Sequence, residues 1–588
     1  MKKIGPTFSD YVITGTTKKR NHGKTILSRE ARALFPLLVL FACIAVLFAR
    51  LFYLQIIRGN YYVMLSDQNR TRSVTIAAPR GIIFDRNGKP LVSNSPAFEI
   101  LKNNKVQWLD KDTALELLSQ GKDVVYDVQR NYIYKDVFAH VLGYVGQISQ
   151  DELMLPQFSN YSVTDFNGKS GLEKQYESIL HGQNGKKLFE VDAQGKEVRF
   201  LGQQDPIPGQ NITTTLDTSI QLSVAKAMKN VKKGAVVVSD PNTGGILALY
   251  SKPSFDPNLF THDSHYVSSG DYKNVSQILT DSNNQPLLDR SISGVYPPGS
   301  TFKLITATAG LQTGAITATT QIEDTGEITA GGTTFGNWYY QSYGKKEGFI
   351  DVVAAIKRSN DIFFYKTAQQ TGINKLDAWS RTFGLGKTLG IDLPGEASGT
   401  VPSPSWKEKE IGDQWYLGDT YNTGIGQGYL LTTPLQVNMW TVPFANGGIL
   451  YKPHVLNEKP QIVKKDFIKP ENISLVRQGM EEVCQPGGVA YPFFDFKVKN
   501  DRLPIDNKDY FKDASGSATM TRVAIGCKTG TAQVGGADTE SHAWITVFAP
   551  FYNPEVVVTV LVENSGEGSD VAAPIAKSIL TDYFQNKK

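Results

Sequence analysis

Cysteine is scarce in this chain, which has three among 588 residues: Cys43, Cys484 and Cys527. So few cysteines exclude a disulfide framework and a zinc module built from several thiolates. One bridge, between Cys484 and Cys527, is the most that the sequence allows. Free cysteines behave as small apolar residues in protein cores, and we expect these two thiols to be buried and unpaired.

An excess of either charge is also missing, because 61 Lys and Arg residues balance 57 Asp and Glu residues and leave a net charge of +4. That balance excludes a nucleic-acid binder recognised by bulk charge, and we expect no nucleic-acid partner. With 40% hydrophobic and 20% charged residues, the composition is globular and excludes a disordered or fibrous protein.

Long apolar runs are rare as well, and the sequence has one of membrane-spanning length, at residues 33–57. About 20 apolar residues cross a bilayer, and Arg50 near the outer end can extend its charge to the headgroups. A signal peptide would be shorter and would precede a small-residue cleavage site, and a buried core helix is the other alternative. Eight Lys and Arg residues precede the run, so we predict that residues 1–32 are a cytoplasmic tail and that the rest lies outside.

The part after the span divides by its local patterns into two predicted domains. Residues 58–214 show short alternating strands and glycine-rich turns, which predict a mainly β pedestal. Residues 215–588 alternate helical patterns with antiparallel hairpins, which predicts an α/β layered domain. Residues 500–517 are rich in Asp, Lys and Ser, and we expect an exposed insertion there.

Within the second domain, four patterns locate individual elements. A helix is predicted to follow Leu216, with Asp217 or Thr218 as its N-cap. Strand, turn and strand are predicted at 234–250, because apolar runs flank a turn-forming Asn-Thr-Gly-Gly. Further strands at 543–562 and a closing helix at 572–584 complete the pattern.

The first chemical motif is S-x-x-K, formed by Ser300 and Lys303. Pro298 and Gly299 break the preceding strand, so Ser300 should open a helix and Lys303 should lie on the same face one turn later. An amine within hydrogen-bond reach of a hydroxyl is the arrangement of a base and its nucleophile. Alone, the motif is a weak signal, because chance supplies it in most long chains, and a helix cap followed by a solvated lysine is then the favoured interpretation.

The second motif is S-x-[DN], formed by Ser359 and Asp361. The Ser359 hydroxyl can relay a proton between the nucleophile, the lysine and a leaving amine. Either Asp361 or Asn360 can orient the lysine by hydrogen bonding. The triplet by itself is equally typical of a capped helix start.

The third motif is K-T-G, at Lys528, Thr529 and Gly530, with alternating apolar flanks that predict a strand. Lys528 offers a cation to a substrate carboxylate, and Thr529 and Thr531 offer hydroxyl donors. We expect Gly530 to leave the strand edge open for a substrate, because it has no side chain. The backbone amides of Ser300 and Thr531 are predicted to form an oxyanion hole.

The order of the three motifs, with separations of 59 and 169 residues, is the signature of penicillin-binding proteins and serine β-lactamases. The chain resembles the class B penicillin-binding proteins, most closely their elongation branch. The resemblance implies a penicillin-binding and β-lactamase-like transpeptidase domain, an antiparallel sheet with helices on both faces, on a mainly β pedestal with one N-terminal transmembrane helix. It rests on the motifs and on passages at 78–88, 168–177, 254–258, 390–396, 418–436 and 542–544.

The resemblance implies a D,D-transpeptidase that cross-links peptidoglycan stem peptides through a serine acyl-enzyme, releases D-Ala and needs no cofactor. The implied partners are stem peptides ending in D-Ala-D-Ala, β-lactam antibiotics, the lipid bilayer and a multi-span glycan polymerase of the shape, elongation, division and sporulation family. A D,D-carboxypeptidase remains open, because hydrolysis uses the same acyl-enzyme. A β-lactam-sensing or scaffolding membrane protein is the alternative from another class, although 32 residues are too few for an intracellular effector domain.

Some relatives carry a metal site between the first two motifs. Residues 319–351 of this chain contain neither His nor Cys, so we predict no zinc there. The nearest metal-like cluster, with His262 and His265, lacks a third ligand in sequence, and we predict no metal site.

Overall fold

The structure, a computed structural model, describes residues 29–587 except 103–104, 123, 193, 195, 263–264, 505–507, 513–519 and 537–538. Most of the predicted cytoplasmic tail, residues 1–28, therefore lies outside the described residues. The chain forms two compact units, one of residues up to 75 with 186–204 and one of residues 76–185 with 205 onwards. The predicted domain boundaries at 57/58 and 214/215 stay predictions.

The first unit contains the apolar helix. Helix Arg29–Phe52 continues through a π-helical turn, Tyr53–Ile57, and is followed by helix Gly59–Arg70. The segment Leu34–Ile57 is long and apolar enough to cross a membrane, and its most apolar window buries none of its residues against the protein. The apolar side chains therefore face outward, as lipid contact requires. A three-stranded sheet completes the unit, in the order Thr71–Ile76, Gly185–Val191, Glu197–Gln204.

The second unit contains residues 76–185 and 205–214 of the predicted pedestal, and this part is mainly β, as predicted. Buried ion pairs stabilise it. Arg80 contacts Glu173 at 2.8 Å and Glu177 at 2.9 Å, and Arg130 contacts Glu173 at 2.7 Å. Buried charges of this kind are tolerated because each one is paired. Its strands are Ile83–Phe84, Pro90–Lys102, Lys105–Leu109, Val125–Tyr132, Val145–Gln147, Phe166–Gly168 and Ile212–Thr213, and its α-helices are Lys111–Ser119, Ala139–Leu142, Gln150–Leu153, Gly171–Gln175 and Glu177–Leu180.

The rest of the second unit surrounds a five-stranded antiparallel sheet. The strands follow the order Ile246–Lys252, Gly234–Ser239, Val556–Val562, His542–Ala549, Gly526–Ala532. Four of these strands are fully buried, as apolar strands are when helices cover both faces of a sheet. The predicted hairpin at 234–250 and the predicted strands at 543–562 are thus present.

The predicted helix cap and closing helix are also found. Asp217 caps helix Thr218–Ala227 by accepting from the amides of Ser219 and Ile220. The other helices are Val275–Thr280, Lys303–Thr313, Trp338–Tyr343, Val352–Arg358, Asp361–Thr371, Ile373–Thr382, Pro404–Glu410, Leu417–Gly424, Pro434–Asn446, Pro470–Val483 and Ala573–Gln585. Small sheets add strands Ile322–Asp324, Glu327–Ala330, Thr333–Gly336, Gly348–Ile350, Leu450–Tyr451, Ile462–Lys464, Lys497–Val498, Tyr510–Lys512 and Thr521–Val523.

The predicted exposed insertion at 500–517 is confirmed only in part among the residues that the structure describes, where Asp501, Arg502, Pro504, Lys508 and Phe511 are exposed but others are not. Asn500, Leu503, Asp509 and Tyr510 are buried. Asn500 donates to the carbonyl of Phe584, and Asp509 accepts from backbone amides near residue 552. Polar side chains that satisfy backbone groups can be buried, and composition alone does not distinguish them from solvated ones.

Candidate active site

The first motif lies where a tight turn becomes a helix. Ser300 belongs to the 3₁₀ turn Gly299–Phe302, and Lys303 begins the helix Lys303–Thr313. Three residues per turn place Ser300 and Lys303 on one side of the chain. Gly299 has a φ of 53°, and a Cβ there would lie 2.7 Å from the carbonyl oxygen of Thr531. Glycine is therefore needed to bring the serine turn against the K-T-G strand.

Lys303 is fully buried, and its amine faces the second motif. Nζ donates to Asp361 Oδ1 at 2.6 Å, to the Ser359 carbonyl at 2.7 Å and to Ser359 Oγ at 3.4 Å. Three acceptors match the three hydrogens of an ammonium group. Ser300 Oγ is not among the partners of Lys303 in the described part of the chain, so the predicted direct hydrogen bond is absent in this state. Loss of one proton from Nζ would create the lone pair that a base needs.

Ser359 adopts an unusual backbone conformation for a residue other than glycine. It ends helix Val352–Arg358 with φ 53° and ψ 39°, in the left-handed region. Such a conformation costs of order 1–3 kcal/mol and is concentrated at functional sites. Asn360 then caps helix Asp361–Thr371 by accepting from the Phe363 amide. Both interpretations of the triplet are therefore correct: Asn360 caps the helix, and Asp361 contacts the lysine.

The third motif lies on strand Gly526–Ala532, which is an edge strand of the central five-stranded sheet. Lys528 is fully buried, and its Nζ donates to Ser359 Oγ at 2.8 Å and to the Thr529 carbonyl at 2.9 Å. Ser359 Oγ thus bridges the amines of both lysines. The three motifs, widely separated in sequence, meet at this one hydroxyl.

The position of Gly530 is also constrained by its packing against the serine turn. A Cβ at this position would lie 3.0 Å from both the Pro298 carbonyl oxygen and Thr301 Cγ2. The close packing of the strand against the serine turn therefore favours glycine at this position. The expectation that Gly530 keeps the strand edge open for a substrate stays a prediction.

Burial sets the electrostatics of the two lysines. Burial lowers the pKa of Lys303, although the carboxylate of Asp361 opposes the shift. Burial lowers the pKa of Lys528 further, and the positive charge of Lys303 adds to the effect. Two like charges that share one hydroxyl repel each other, which favours the state in which only one of the two amines is protonated.

The remaining predicted site residues surround this hydroxyl-bridged pair. Thr529 is buried and Thr531 is half-buried. The Thr531 carbonyl accepts from Gln427 Nε2 at 3.4 Å, and its Oγ1 accepts from the Gly568 amide at 3.4 Å. The substrate-binding role of these threonines and the oxyanion role of the Ser300 and Thr531 amides stay predictions.

Sequence reasoning missed the residues that support the second motif. The Trp338 amide donates to Asp361 Oδ2 at 3.0 Å, and Asn337 Oδ1 accepts from the Asp361 amide at 3.1 Å. Neither residue belongs to a recognisable motif. Gln427, which contacts the K-T-G strand, lies in a Gly-Gln-Gly segment that was noted as part of the resemblance.

The cysteines correct a further expectation. Cys484 and Cys527 form a disulfide, with their Cα atoms 6.1 Å apart, so the prediction of two unpaired thiols is wrong. Helix Pro470–Val483 packs against the K-T-G strand, and this packing brings the two residues together. Cysteine count could limit the number of bridges but could not reveal this approach.

The residues singled out as metal-like do not form a cluster in the described part of the chain, where no three His, Cys, Asp or Glu side chains could hold an ion. His262 bonds the Asn258 carbonyl at 3.1 Å, and His265 lies 3.8 Å from Asp110. Residues 263–264 lie outside the described residues. The absence of zinc between the first two motifs stays a prediction.

Comparison with known proteins gives matches over most of the chain. Residues 234–581 match the penicillin binding protein transpeptidase domain, and residues 114–214 match the penicillin-binding protein dimerisation domain. The peptidoglycan D,D-transpeptidase MrdA of Escherichia coli is 33% identical over 92% of this chain and 92% of its own length. MrdA of Acinetobacter baumannii is 32% identical over 95% of this chain and 88% of its own length.

Solved structures agree with these relatives. Penicillin-binding protein PBP2 of Helicobacter pylori, solved in complex with MreC, has a TM-score of 0.72 at 29% identity, over 88% of this chain and 99% of the other. PBP2 of Pseudomonas aeruginosa, in complex with WCK 5153, has a TM-score of 0.68 at 33% identity, over 88% and 97%. The order of the motifs, their convergence on Ser359 and these matches together show that the chain belongs to the penicillin-binding protein transpeptidase family, as an elongation-type peptidoglycan D,D-transpeptidase.

Proposed function

We propose that the chain cross-links peptidoglycan with Ser300 as its nucleophile, Lys303 as the base and Ser359 as a proton relay to Lys528. The reaction class follows from the family, and the residue roles are our assignment. The observation that carries the assignment is the position of Ser359 Oγ, 3.4 Å from Lys303 Nζ and 2.8 Å from Lys528 Nζ.

In the acylation step, Ser300 Oγ attacks the carbonyl carbon of the penultimate D-Ala of a stem peptide, and its proton passes to neutral Lys303 Nζ. The backbone amides of Ser300 and Thr531 stabilise the oxyanion that forms. The bond to the terminal D-Ala then breaks, and its amine takes a proton delivered through Ser359. The products are a Ser300 ester and free D-Ala.

In the second step, the amine of another stem peptide attacks the ester carbonyl and transfers a proton back through the same groups. The ester bond breaks, an amide forms and Ser300 regains its hydrogen. Water in place of the amine gives hydrolysis, which is the carboxypeptidase reaction. Lys528, with Thr529 and Thr531, binds the terminal carboxylate of the donor stem or of a β-lactam.

Labelling with fluorescent penicillin tests the nucleophile. Ser300→Ala is expected to abolish labelling while the protein still folds, because loss of a helix-start hydroxyl typically costs about 1 kcal/mol. Undiminished labelling of the variant would remove Ser300 from the role. Product analysis of donor stems with and without an acceptor amine separates cross-linking from hydrolysis.

We further propose that the protein is anchored by the span at Leu34–Ile57 with its catalytic part outside and works with a multi-span glycan polymerase. The basic residues before the span support this orientation. One similar structure, 27% identical with a TM-score of 0.70 over 95% of this chain, is described as a peptidoglycan synthase complex that coordinates polymerization and crosslinking. The H. pylori relative binds MreC, which supports a protein of that kind as another partner.

A further inference from the structure

We propose that Asn337, supported by Asp324, is a positioning residue that holds the Asp361 carboxylate in line with the amine of Lys303. The inference rests on the proposed function, in which Lys303 is the base. Asn337 lies between the first two motifs, in a segment to which the reaction itself assigns no role.

Two reciprocal hydrogen bonds join residues 337–338 to the start of helix Asp361–Thr371. The Asp361 amide donates to Asn337 Oδ1 at 3.1 Å, and the Trp338 amide donates to Asp361 Oδ2 at 3.0 Å. The other carboxylate oxygen, Oδ1, accepts from Lys303 Nζ at 2.6 Å. The carboxylate therefore cannot rotate without losing either the Trp338 amide or the lysine.

The side chain of Asn337 is held in place by a hydrogen bond to Asp324. Its Nδ2 donates to Asp324 Oδ2 at 2.9 Å, and Asp324 also accepts from the amides of Gly326 at 2.9 Å and Glu347 at 3.0 Å. Asn337 and Asp324 are 0% and 2% exposed, so neither bond competes with water. The two ends of the Asn337 amide meet partners of opposite kinds, which fixes its orientation.

The charged and titratable groups near Asp361 and Asp324 determine how a carboxylate introduced at position 337 would affect the site. Lys303, Lys528 and Tyr365 interact with the Asp361 carboxylate, while Glu347, which is paired with Arg358, lies beside Asp324. An aspartate at position 337 keeps an acceptor for the Asp361 amide but faces the carboxylate of Asp324. The two carboxyl groups would then share one proton at acid pH and repel each other once it is lost.

The test measures the rate of acylation of the full-length protein by fluorescent penicillin across pH. Asn337→Ala is expected to slow acylation about 10- to 100-fold at every pH, the usual effect of a misplaced catalytic group. Asn337→Asp should remain close to wild type near about pH 5 and fall behind it progressively toward about pH 8, because the shared proton is lost. Melting temperatures of the same samples separate the two roles, because a merely structural asparagine would slow acylation only where the variant is partly unfolded.

Rescue and control variants sharpen the result. Asn337→Asp combined with Asp324→Asn removes the repulsion and restores a donor–acceptor pair, although the Glu347 amide loses its acceptor. We therefore expect a partial recovery of at least about threefold over Asn337→Asp near pH 8. Asn446→Ala removes an asparagine that donates to the carbonyls of Pro241 and Ile449, outside the site, and should lower the melting temperature without changing acylation.

Rates within about twofold of wild type for Asn337→Ala at every pH, or no recovery in the double variant, would overturn the inference. If Asn337→Ala fails to fold, the pH profile of Asn337→Asp decides. Persistent labelling of Ser300→Ala would instead overturn the proposed function.

Discussion

Replacing Lys528 by methionine should stabilise the protein while abolishing its labelling by penicillin. The side chain of Lys528 is fully buried, and burial together with the charge of Lys303 holds its pKa well below the usual value. In the unfolded chain the same amine is protonated in water at neutral pH. The folded state therefore carries an electrostatic cost at this residue, which methionine removes at similar volume.

The magnitude follows from opposing contributions. Replacing a buried ionic group by a well-packed apolar one is neutral to stabilising by about 1–4 kcal/mol. Loss of the hydrogen bonds to Ser359 Oγ and the Thr529 carbonyl costs about 1 kcal/mol each, partly offsetting the gain. The balance is about −1 to +2 kcal/mol, centred on a slight stabilisation of about 0.5 kcal/mol, which corresponds to a rise in melting temperature of about one degree.

The dependence on pH gives the sharper test. When the pKa of a lysine is lower in the folded state, the whole free-energy cost to folding is present at pH values below that pKa. The cost decreases as pH rises and is gone above about pH 10.5, where the unfolded chain also loses the proton. The advantage of Lys528→Met should therefore shrink between pH 7 and pH 10. Lys375→Met, at an exposed helix position, is the matched control and should show no such change.

Thermal unfolding of the detergent-solubilised full chain, followed by tryptophan fluorescence at both pH values, measures the effect. Fluorescent penicillin labelling of the same samples shows whether acylation is lost. A Lys528→Met protein whose melting temperature differs from that of wild type by the same amount at both pH values would refute the reasoning.

Three further predictions follow from other parts of the molecule. Lys303→Arg should be as slow as Lys303→Ala in penicillin labelling at every pH, because a guanidinium cannot act as a base, and substantial labelling would contradict the role. Arg80→Met should destabilise the fold by about 3–5 kcal/mol in thermal melts, because Glu173 and Glu177 remain buried without that partner, and the loss should shrink as pH falls and the carboxylates protonate. Exchanging residues 33–57 for an unrelated apolar span should preserve labelling but abolish co-purification with the proposed polymerase, because a docking helix needs its own side chains to pack. Unchanged co-purification would show that the helix is only a membrane anchor.

The sequence was most informative where a few residues at fixed spacing form the motifs to which we assign the chemistry. Ser300, Lys303 and Lys528 could be assigned before their surroundings were known, because each motif is short and its order in the chain is specific. The central strands were equally predictable, since apolar runs bounded by turns allow few alternatives. In both cases local sequence determines local structure.

What could not be predicted depends on contacts between distant segments. The sequence shows that Ser359 lies near a helix start, but its left-handed backbone and its place between two amines require three segments to meet. Gly530 illustrates the same limit, because the atoms that would crowd a Cβ belong to a turn more than two hundred residues earlier.

Asn337 shows why such contacts have no sequence signature of their own. An asparagine next to tryptophan in a glycine-rich segment is typical of a surface turn, and only burial distinguishes this one. The hydrogen-bond partners of the Asn337 side chain are a backbone amide and a carboxylate. Groups of this kind occur throughout proteins, so the sequence around Asn337 does not identify them. The chemistry of the site is therefore encoded in motifs, whereas its alignment is encoded in packing, and a variant can lose the second while the first remains intact.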